Sequence, residues 1–93
     1  METLIGVREL SKLKWRCRRG LLENDLFLER FFRHHEETVT IRQAAGINAL
    51  MDLADNDLLD LFLRRKEPQD EVDTAEVREV LALMRQPLPD PKN

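Results

Sequence analysis

The 93-residue sequence has only one cysteine and no long apolar run, and each of these features excludes a class of protein. One cysteine permits no internal disulfide, which fits a reducing compartment rather than a secreted disulfide scaffold. No apolar run approaches the roughly 18 to 20 residues that are needed to span a bilayer. The first residues also lack the layout of a secretory signal and of a mitochondrial presequence. We therefore expect a cytoplasmic protein, most simply a bacterial one.

The motifs that carry most enzyme chemistry are absent as well. There is no glycine-rich phosphate loop, no cysteine and histidine spacing for a metal site, and no serine or cysteine beside a plausible base. His34 and His35 precede two glutamates, but adjacent side chains diverge by roughly 100° on a helix, so a solvated helix end is favoured over a metal site. Four aspartates between residues 52 and 60 are interpreted as capping and solvation. We expect a protein that is not an enzyme and has no catalytic residue, bound metal or tightly bound cofactor.

The spacing of apolar residues predicts an all-α fold, because no segment alternates with period two and several repeat at i, i+3, i+4 and i+7. Helix starts are indicated by Thr40 with Gln43, by Asp55, and by Asp73 with Glu76. The five predicted helices cover about Val7 to Arg19, Leu22 to His35, a segment from Thr40, a segment from Asp55 and a segment after Asp73. We expect one small five-helix bundle over residues 1–85, followed by a disordered proline-rich tail over residues 86–93.

Each predicted helix has an apolar face. In the second helix these residues spread over more than one face, which predicts that it is packed from two sides and forms the centre of the fold. Gly46, inside the third helix, is expected to let another helix approach closely. The predicted faces are Leu10, Leu13 and Cys17; Leu26, Phe27, Leu28, Phe31 and Phe32; Ile47, Leu50, Met51 and Ala54; and Val77, Val80, Leu81 and Met84.

The stretch from Trp15 to Asp25 is the one place where basic residues, an aromatic, a glycine and carboxylates crowd together. Trp15 lies away from the face formed by Leu13 and Cys17, so it either packs on the second helix or serves as an interface residue. Gly20 is expected to end the first helix in a left-handed conformation. Residues 1–20 carry six basic and two acidic side chains, whereas residues 21–93 carry nine and sixteen. The first helix therefore presents positive charge on an acidic body, which suits an acidic protein surface, an anionic ligand or nucleic acid.

This stretch resembles the signature of the SdhE/YgfY family, the succinate dehydrogenase assembly factors that promote flavinylation. The resemblance rests on Arg19-Gly20-x-x-Glu23, preceded by Trp15-x-Cys17-Arg18 and followed by Asp25 and by Phe31-Phe32. The junction from Leu53 to Leu58 agrees with it, and the likeness extends from about Leu10 to Met84. Family members often have proline where this chain has Asn56, which affects only a helix start.

The resemblance implies a small five-helix, chaperone-like partner that is a monomer in solution. Such a protein binds the flavoprotein subunit of succinate dehydrogenase, and possibly that of fumarate reductase, and promotes covalent attachment of FAD to a histidine of that subunit. The motif residues expected at the flavoprotein contact are Arg19, Gly20 and Glu23, with Trp15, Arg18 and Asp25 as further candidates. Glu23 would either pair with a cation of the partner or brace Arg19. Whether FAD contacts this chain is left open.

The competing interpretation is a small helical nucleic-acid-binding protein that uses the basic first helix. Its contacts would come from Lys12, Lys14, Arg16, Arg18 and Arg19, and its affinity would depend steeply on salt. The acidic body argues against it, because phosphate would be repelled there. The basic residues also surround the helix instead of forming one stripe. For Cys17, a buried structural thiol is favoured over a reactive one, since it shares a face with Leu13.

Overall fold

The computed structural model describes residues 3–18 and 20–85, and five α-helices follow one another within them. Short 3₁₀ turns at Glu36–Thr38 and Asp70–Val72 lie before the third and fifth helices. The helices are α1 Val7–Arg16, α2 Leu22–His35, α3 Ile41–Met51, α4 Asp55–Phe62 and α5 Ala75–Arg85. The all-α prediction is confirmed, whereas the predicted tail over residues 86–93 lies outside the described residues. None of the described helices is long and apolar enough to cross a membrane.

The centre of the packing is formed by α3 and α5, which lie against each other more extensively than any other pair of elements. Gly46 permits this contact, because a Cβ atom at this position would lie 2.5 Å from the carbonyl oxygen of Glu76. The expected close approach of another helix at Gly46 is therefore confirmed. The apolar faces predicted for both helices are buried, with one exception. Ala54 is exposed and precedes α4, because α3 ends at Met51.

The second helix packs against both α4 and α5, so its predicted packing from two sides is confirmed. The prediction that it forms the centre of the fold was wrong, because the most extensive contact joins α3 and α5. Leu28, Phe31 and Phe32 are buried, and the ring of Phe27 stacks on that of Phe62 with centroids 4.7 Å apart. The prediction was wrong for Leu26, whose side chain is 55% exposed. Its position on the side of α2 away from Leu28 and Phe31 explains this exposure.

Of the three predicted helix starts, one has the predicted cap. The Thr40 hydroxyl accepts a hydrogen bond from the backbone N–H of Gln43 at 3.0 Å, and the Gln43 side chain accepts one from the N–H of Thr40 at 3.1 Å. The N-cap of α4 is Ala54 rather than Asp55, which is the first helical residue. There its charge still faces the positive end of the helix dipole.

Helix α5 begins at Ala75, and its cap lies one residue after Asp73, the aspartate that was expected to cap it. The Thr74 hydroxyl accepts a hydrogen bond from the N–H of Val77 at 3.1 Å and so caps the helix. The Asp73 carboxylate instead pairs with the guanidinium of Arg78. Threonine and aspartate are both good capping residues, so the local sequence alone does not distinguish them.

The first residues are tied to the centre of the chain by a short antiparallel pairing that the sequence did not indicate. The backbone N–H of Ile5 donates to the carbonyl of Val39 at 3.0 Å, and the N–H of Ile41 donates to the carbonyl of Thr3 at 2.8 Å. This pairing holds the start of α1 beside the start of α3. It thereby fixes the direction of the α1 axis from this point.

Candidate partner-binding site

The predicted site residues lie where α1 turns into α2, and we call the described part of this region, residues 15–18 and 20–26, the corner surface. Helix α1 ends at Arg16, three residues before the predicted end, and Cys17 caps it with its N–H donating to the carbonyl of Leu13 at 3.0 Å. The N–H of Arg18 then donates to the carbonyl of Trp15 at 3.1 Å. Gly20 has φ +93°, so glycine serves the turn as predicted, but in the connection rather than directly at the helix end.

Leu13 and Cys17 hold α1 to the body of the protein. Both are buried, and the Cys17 side chain lies within the apolar core, so the structural interpretation of this cysteine is confirmed. Trp15 points away from them and is 72% exposed. The guanidinium carbon of Arg18 lies 5.6 Å from the centroid of its ring, which is a cation–π distance. Trp15 therefore does not pack on α2, and its role as an interface residue stays a prediction.

The first turn of α2 presents acidic side chains at the positive end of the helix dipole. Glu23 is exposed, and none of the described residues forms a hydrogen bond or an ion pair with its carboxylate. Asp25 is half-buried. Arg19, the remaining motif residue, lies outside the described residues. The described residues of the motif that face solvent are thus Trp15, Arg18, Gly20 and Glu23.

A buried amide fixes the start of α2 relative to α4. Asn24 is fully buried, and its side-chain Nδ2 donates to the carbonyl of Asp55 at 3.0 Å. Its Oδ1 has no hydrogen-bond partner among the residues that the structure describes, which is costly for a buried polar atom. The single bond to the first residue of α4 orients the helix turn that carries Glu23. Sequence reasoning did not identify Asn24, because a polar residue between two acidic ones resembles a solvated position.

Two exposed leucines were also missed. Leu22 is 68% exposed and Leu26 is 55% exposed, and at i and i+4 they lie on the same side of α2. They lie two and six residues after Gly20, on either side of Glu23 in the sequence. Helical geometry could have identified them, since Leu22 and Leu26 lie on the opposite side of the helix from Leu28 and Phe31. The corner surface therefore combines an exposed aromatic, two exposed leucines, a cation and a carboxylate.

Much of the positive charge of α1 is used within the protein. The ammonium of Lys14 lies 2.8 Å from the Glu36 carboxylate. The guanidinium of Arg16 donates to the side chain of Asn48 at 2.9 Å and also pairs with Asp52. Two of the five cations proposed for nucleic-acid contacts are thus already paired, which argues against that interpretation.

The other clusters noted in the sequence have local partners. Asp57 pairs with Lys66 at 3.1 Å and Asp60 with Arg65 at 3.4 Å, so these aspartates form surface ion pairs. The ring of His35 lies 5.2 Å from that of Phe31. Within residues 3–18 and 20–85, no three histidine, cysteine or acidic side chains come together as metal ligands would. The corner surface is therefore the best-defined candidate site.

Comparison with known proteins covers most of the chain. Residues 11–87 match the model of a family described as the flavinator of succinate dehydrogenase. A protein of Ralstonia nicotianae named FAD assembly factor SdhE is 48% identical over 75 residues, which cover 81% of this chain and 79% of that protein. Proteins of the same name from Coxiella burnetii and Legionella pneumophila strain Lens are 37% and 35% identical, over 63% and 70% of this chain and 72% and 82% of their own lengths.

No solved structure matches the chain significantly. The family match begins within α1, covers α2 to α5 and includes every residue of the corner surface. It agrees with the resemblance carried by Trp15, Arg19, Gly20 and Glu23. The chain belongs to the SdhE family of FAD assembly factors, the flavinators of succinate dehydrogenase, whose members are assembly factors rather than enzymes.

Proposed function

We propose that this protein binds the flavoprotein subunit of succinate dehydrogenase through its corner surface and promotes covalent attachment of FAD to that subunit. The observation that carries the proposal is the family match over residues 11–87. The relatives are named FAD assembly factors, and the family is described by its action on succinate dehydrogenase. FAD is attached to the partner, and this chain holds none tightly.

The exposure of the corner surface supports its role as the contact. Trp15 and Leu22 are 72% and 68% exposed although both are large and apolar, and aromatic residues are enriched among interface hot spots. Gly20 leaves the backbone accessible, since a Cβ atom there would meet nothing within 4 Å. The Glu23 carboxylate is available to a cation of the partner. Arg19, by its place in the family motif, would pair with a carboxylate in the bidentate manner of a guanidinium.

The proposed contribution of this chain is positioning rather than bond formation. Covalent flavin attachment belongs to the flavin and to a histidine of the flavoprotein. Holding the reacting groups in a productive arrangement can by itself lower a barrier by several kcal/mol. A rigid α1–α2 corner suits this task, because Leu13 and Cys17 anchor one side and Asn24 anchors the other.

Three finer statements accompany the proposal. The protein acts as a monomer in the cytoplasm, where a single buried thiol stays reduced. It also serves the flavoprotein of fumarate reductase if that subunit presents the same surface. The iron–sulfur subunit excludes it, because an assembly factor has to be released before the complex is complete.

Mixing the protein with the isolated flavoprotein subunit tests the proposal. We expect a one-to-one complex by size-exclusion chromatography with light scattering, and faster appearance of protein-bound flavin fluorescence in denaturing gels. Addition of the iron–sulfur subunit should displace the protein. Stable binding to the complete dehydrogenase with none to the free subunit would reject the proposal.

A further inference from the structure

The end of α4 contains an arginine where a helix stop normally has glycine. The N–H of Arg65 donates to the carbonyl of Asp60 at 2.8 Å, and the N–H of Arg64 donates to that of Leu61 at 3.2 Å. This is the Schellman pattern, whose left-handed residue is usually glycine. Here Arg64 occupies that position with φ +63°. A side chain in this conformation is disfavoured, so an arginine at this position is unusual.

The Arg64 side chain borders a cavity of about 480 Å³ between the α4–α5 connection and α5. One part of the wall is apolar and the other is formed by charged side chains. The lining consists of Arg64, Glu67, Pro68, Arg78, Leu81, Ala82, Leu83 and Arg85. Pro68 and Leu81 are buried, so the apolar part belongs to the fixed body of the protein.

The three arginines differ in how many hydrogen bonds and ion pairs their side chains form within the protein. The Arg85 side chain is 8% exposed and donates to the carbonyls of Leu61 and Lys66 at 2.6 and 3.1 Å and to the Glu67 carboxylate at 3.0 and 3.2 Å. Arg85 therefore holds the connection against α5. Arg78 uses its Nε for Asp73. Arg64 has no hydrogen-bonding or ionic side-chain partner among the described residues.

The charge around the cavity is unbalanced. The cavity lining contains three arginines and one carboxylate, that of Glu67, and Arg78 also holds the Asp73 carboxylate, which leaves an excess of one positive charge. The unused N–H groups belong to Arg64 and to the two Nη atoms of Arg78. Both residues line the cavity together with apolar residues, and small-molecule sites use this combination for binding and orientation.

We propose that this cavity binds a small molecule that carries one oxyanion, a carboxylate or a phosphate, on an apolar body. Arg64 and Arg78 bind the oxygens, and the apolar body lies against Ala82 and Leu83, which line the cavity above the buried Pro68 and Leu81. Arg85 is a positioning residue that keeps the connection in place. The proposal is independent of the corner surface, which lies on other elements, and its test does not use flavin attachment.

Titration of the full chain at constant ionic strength, followed by ¹⁵N NMR, tests the site with benzoate, phenyl phosphate and neutral benzamide. We expect saturable shifts of the Nε–H signals of Arg64 and Arg78 and of the amides of residues 64–67. Benzamide should bind at least about tenfold more weakly, since it lacks the charge. The tighter of the two anions identifies the oxyanion. Non-saturating shifts, or equal affinity for benzamide, would overturn the proposal.

Arg64→Gly provides the matched variant, because glycine adopts a positive φ without strain and the fold is retained. It should weaken binding of the preferred anion by about tenfold or more. Arg33→Ala, which removes an exposed arginine from α2, should leave the affinity unchanged. Equal losses in both variants would indicate attraction by overall charge alone, and unchanged affinity in a folded Arg64→Gly protein would exclude the site.

Discussion

Gly20 is the residue on which the shape of the corner surface depends most directly. Its φ of +93° is disfavoured for any side chain, although a Cβ atom would meet nothing within 4 Å. Strain in the backbone and contact with a partner can therefore be separated at this position. The strain belongs to the isolated protein, whereas a clash would require the partner.

Gly20→Ala should lower the free energy of unfolding by about 1 kcal/mol, or Tm by about 4 to 8 °C, because alanine is strained at positive φ. Thermal melts followed by circular dichroism measure this. Gly6→Ala is the control, since Gly6 has φ −73° and its added Cβ would make only an ordinary contact 3.4 Å from the Glu9 carboxylate. A Gly20→Ala protein as stable as the wild type would contradict the assigned conformation.

Trp15 tests the apolar part of the proposed contact. Trp15→Ala should change the free energy of unfolding by less than about 0.5 kcal/mol, because the side chain is 72% exposed. It should weaken binding of the flavoprotein about thirtyfold, which corresponds to a hot-spot loss of about 2 kcal/mol. Calorimetric titration measures the affinity. Val7→Ala, at an apolar residue of the same helix that is 83% exposed, should alter neither quantity.

At the level of elements, the fold depends on the close approach of α3 and α5 at Gly46. Gly46→Ala should destabilise the protein by about 1 to 3 kcal/mol, because the added Cβ would lie 2.5 Å from the backbone oxygen of Glu76 and the helices would have to separate. This cost exceeds the gain in helix propensity of about 1 kcal/mol. Urea unfolding gives the difference, and a Gly46→Ala protein that is more stable than the wild type would be contrary evidence.

Helix bounds could be predicted largely from the sequence, because apolar periodicity and the Thr40 capping box are local signals. α2 has the predicted bounds, and the buried faces of α3 and α5 agree except at Ala54. The choice of Thr74 over Asp73 as a cap could not be predicted, since neighbouring residues of similar propensity compete. The pairing of Ile5 with Val39 is a long-range contact without a local pattern.

The outline of the candidate site could also be predicted, because its motif is a local pattern in the sequence. The off-face position of Trp15 followed from helical geometry, whereas its exposure depends on how α1 packs against the rest of the chain. The role of Asn24 could not be predicted, because its partner is a backbone carbonyl 31 residues away. Local sequence thus identified the motif, and tertiary packing decides which of its residues face outward.

At the scale of the whole molecule, some of the positive side chains of α1 pair with acidic residues of the protein itself, and others remain available at the surface. Lys14 and Arg16 pair with acidic residues of the body, which ties α1 down and leaves fewer cations for a partner. The remaining charge near the corner surface includes Arg18 and the Glu23 carboxylate, which carry opposite signs. Such an arrangement favours an oriented protein contact over nonspecific attraction to a polyanion.

The double variant Arg19→Ala, Glu23→Ala tests whether these charged residues are needed for flavin attachment to the partner. It should reduce covalent flavin attachment strongly, because loss of a charged bond from a buried interface costs about 2 to 5 kcal/mol, or about thirtyfold or more in affinity. Protein-bound flavin fluorescence in denaturing gels, measured beside thermal melts, reports both quantities. Glu71→Ala, at an exposed residue of the second 3₁₀ turn, is the control. If the motif only stabilised the turn, the double variant would melt at a lower temperature, while its folded fraction would promote flavin attachment at the normal rate. That result would show that the corner surface is not the contact.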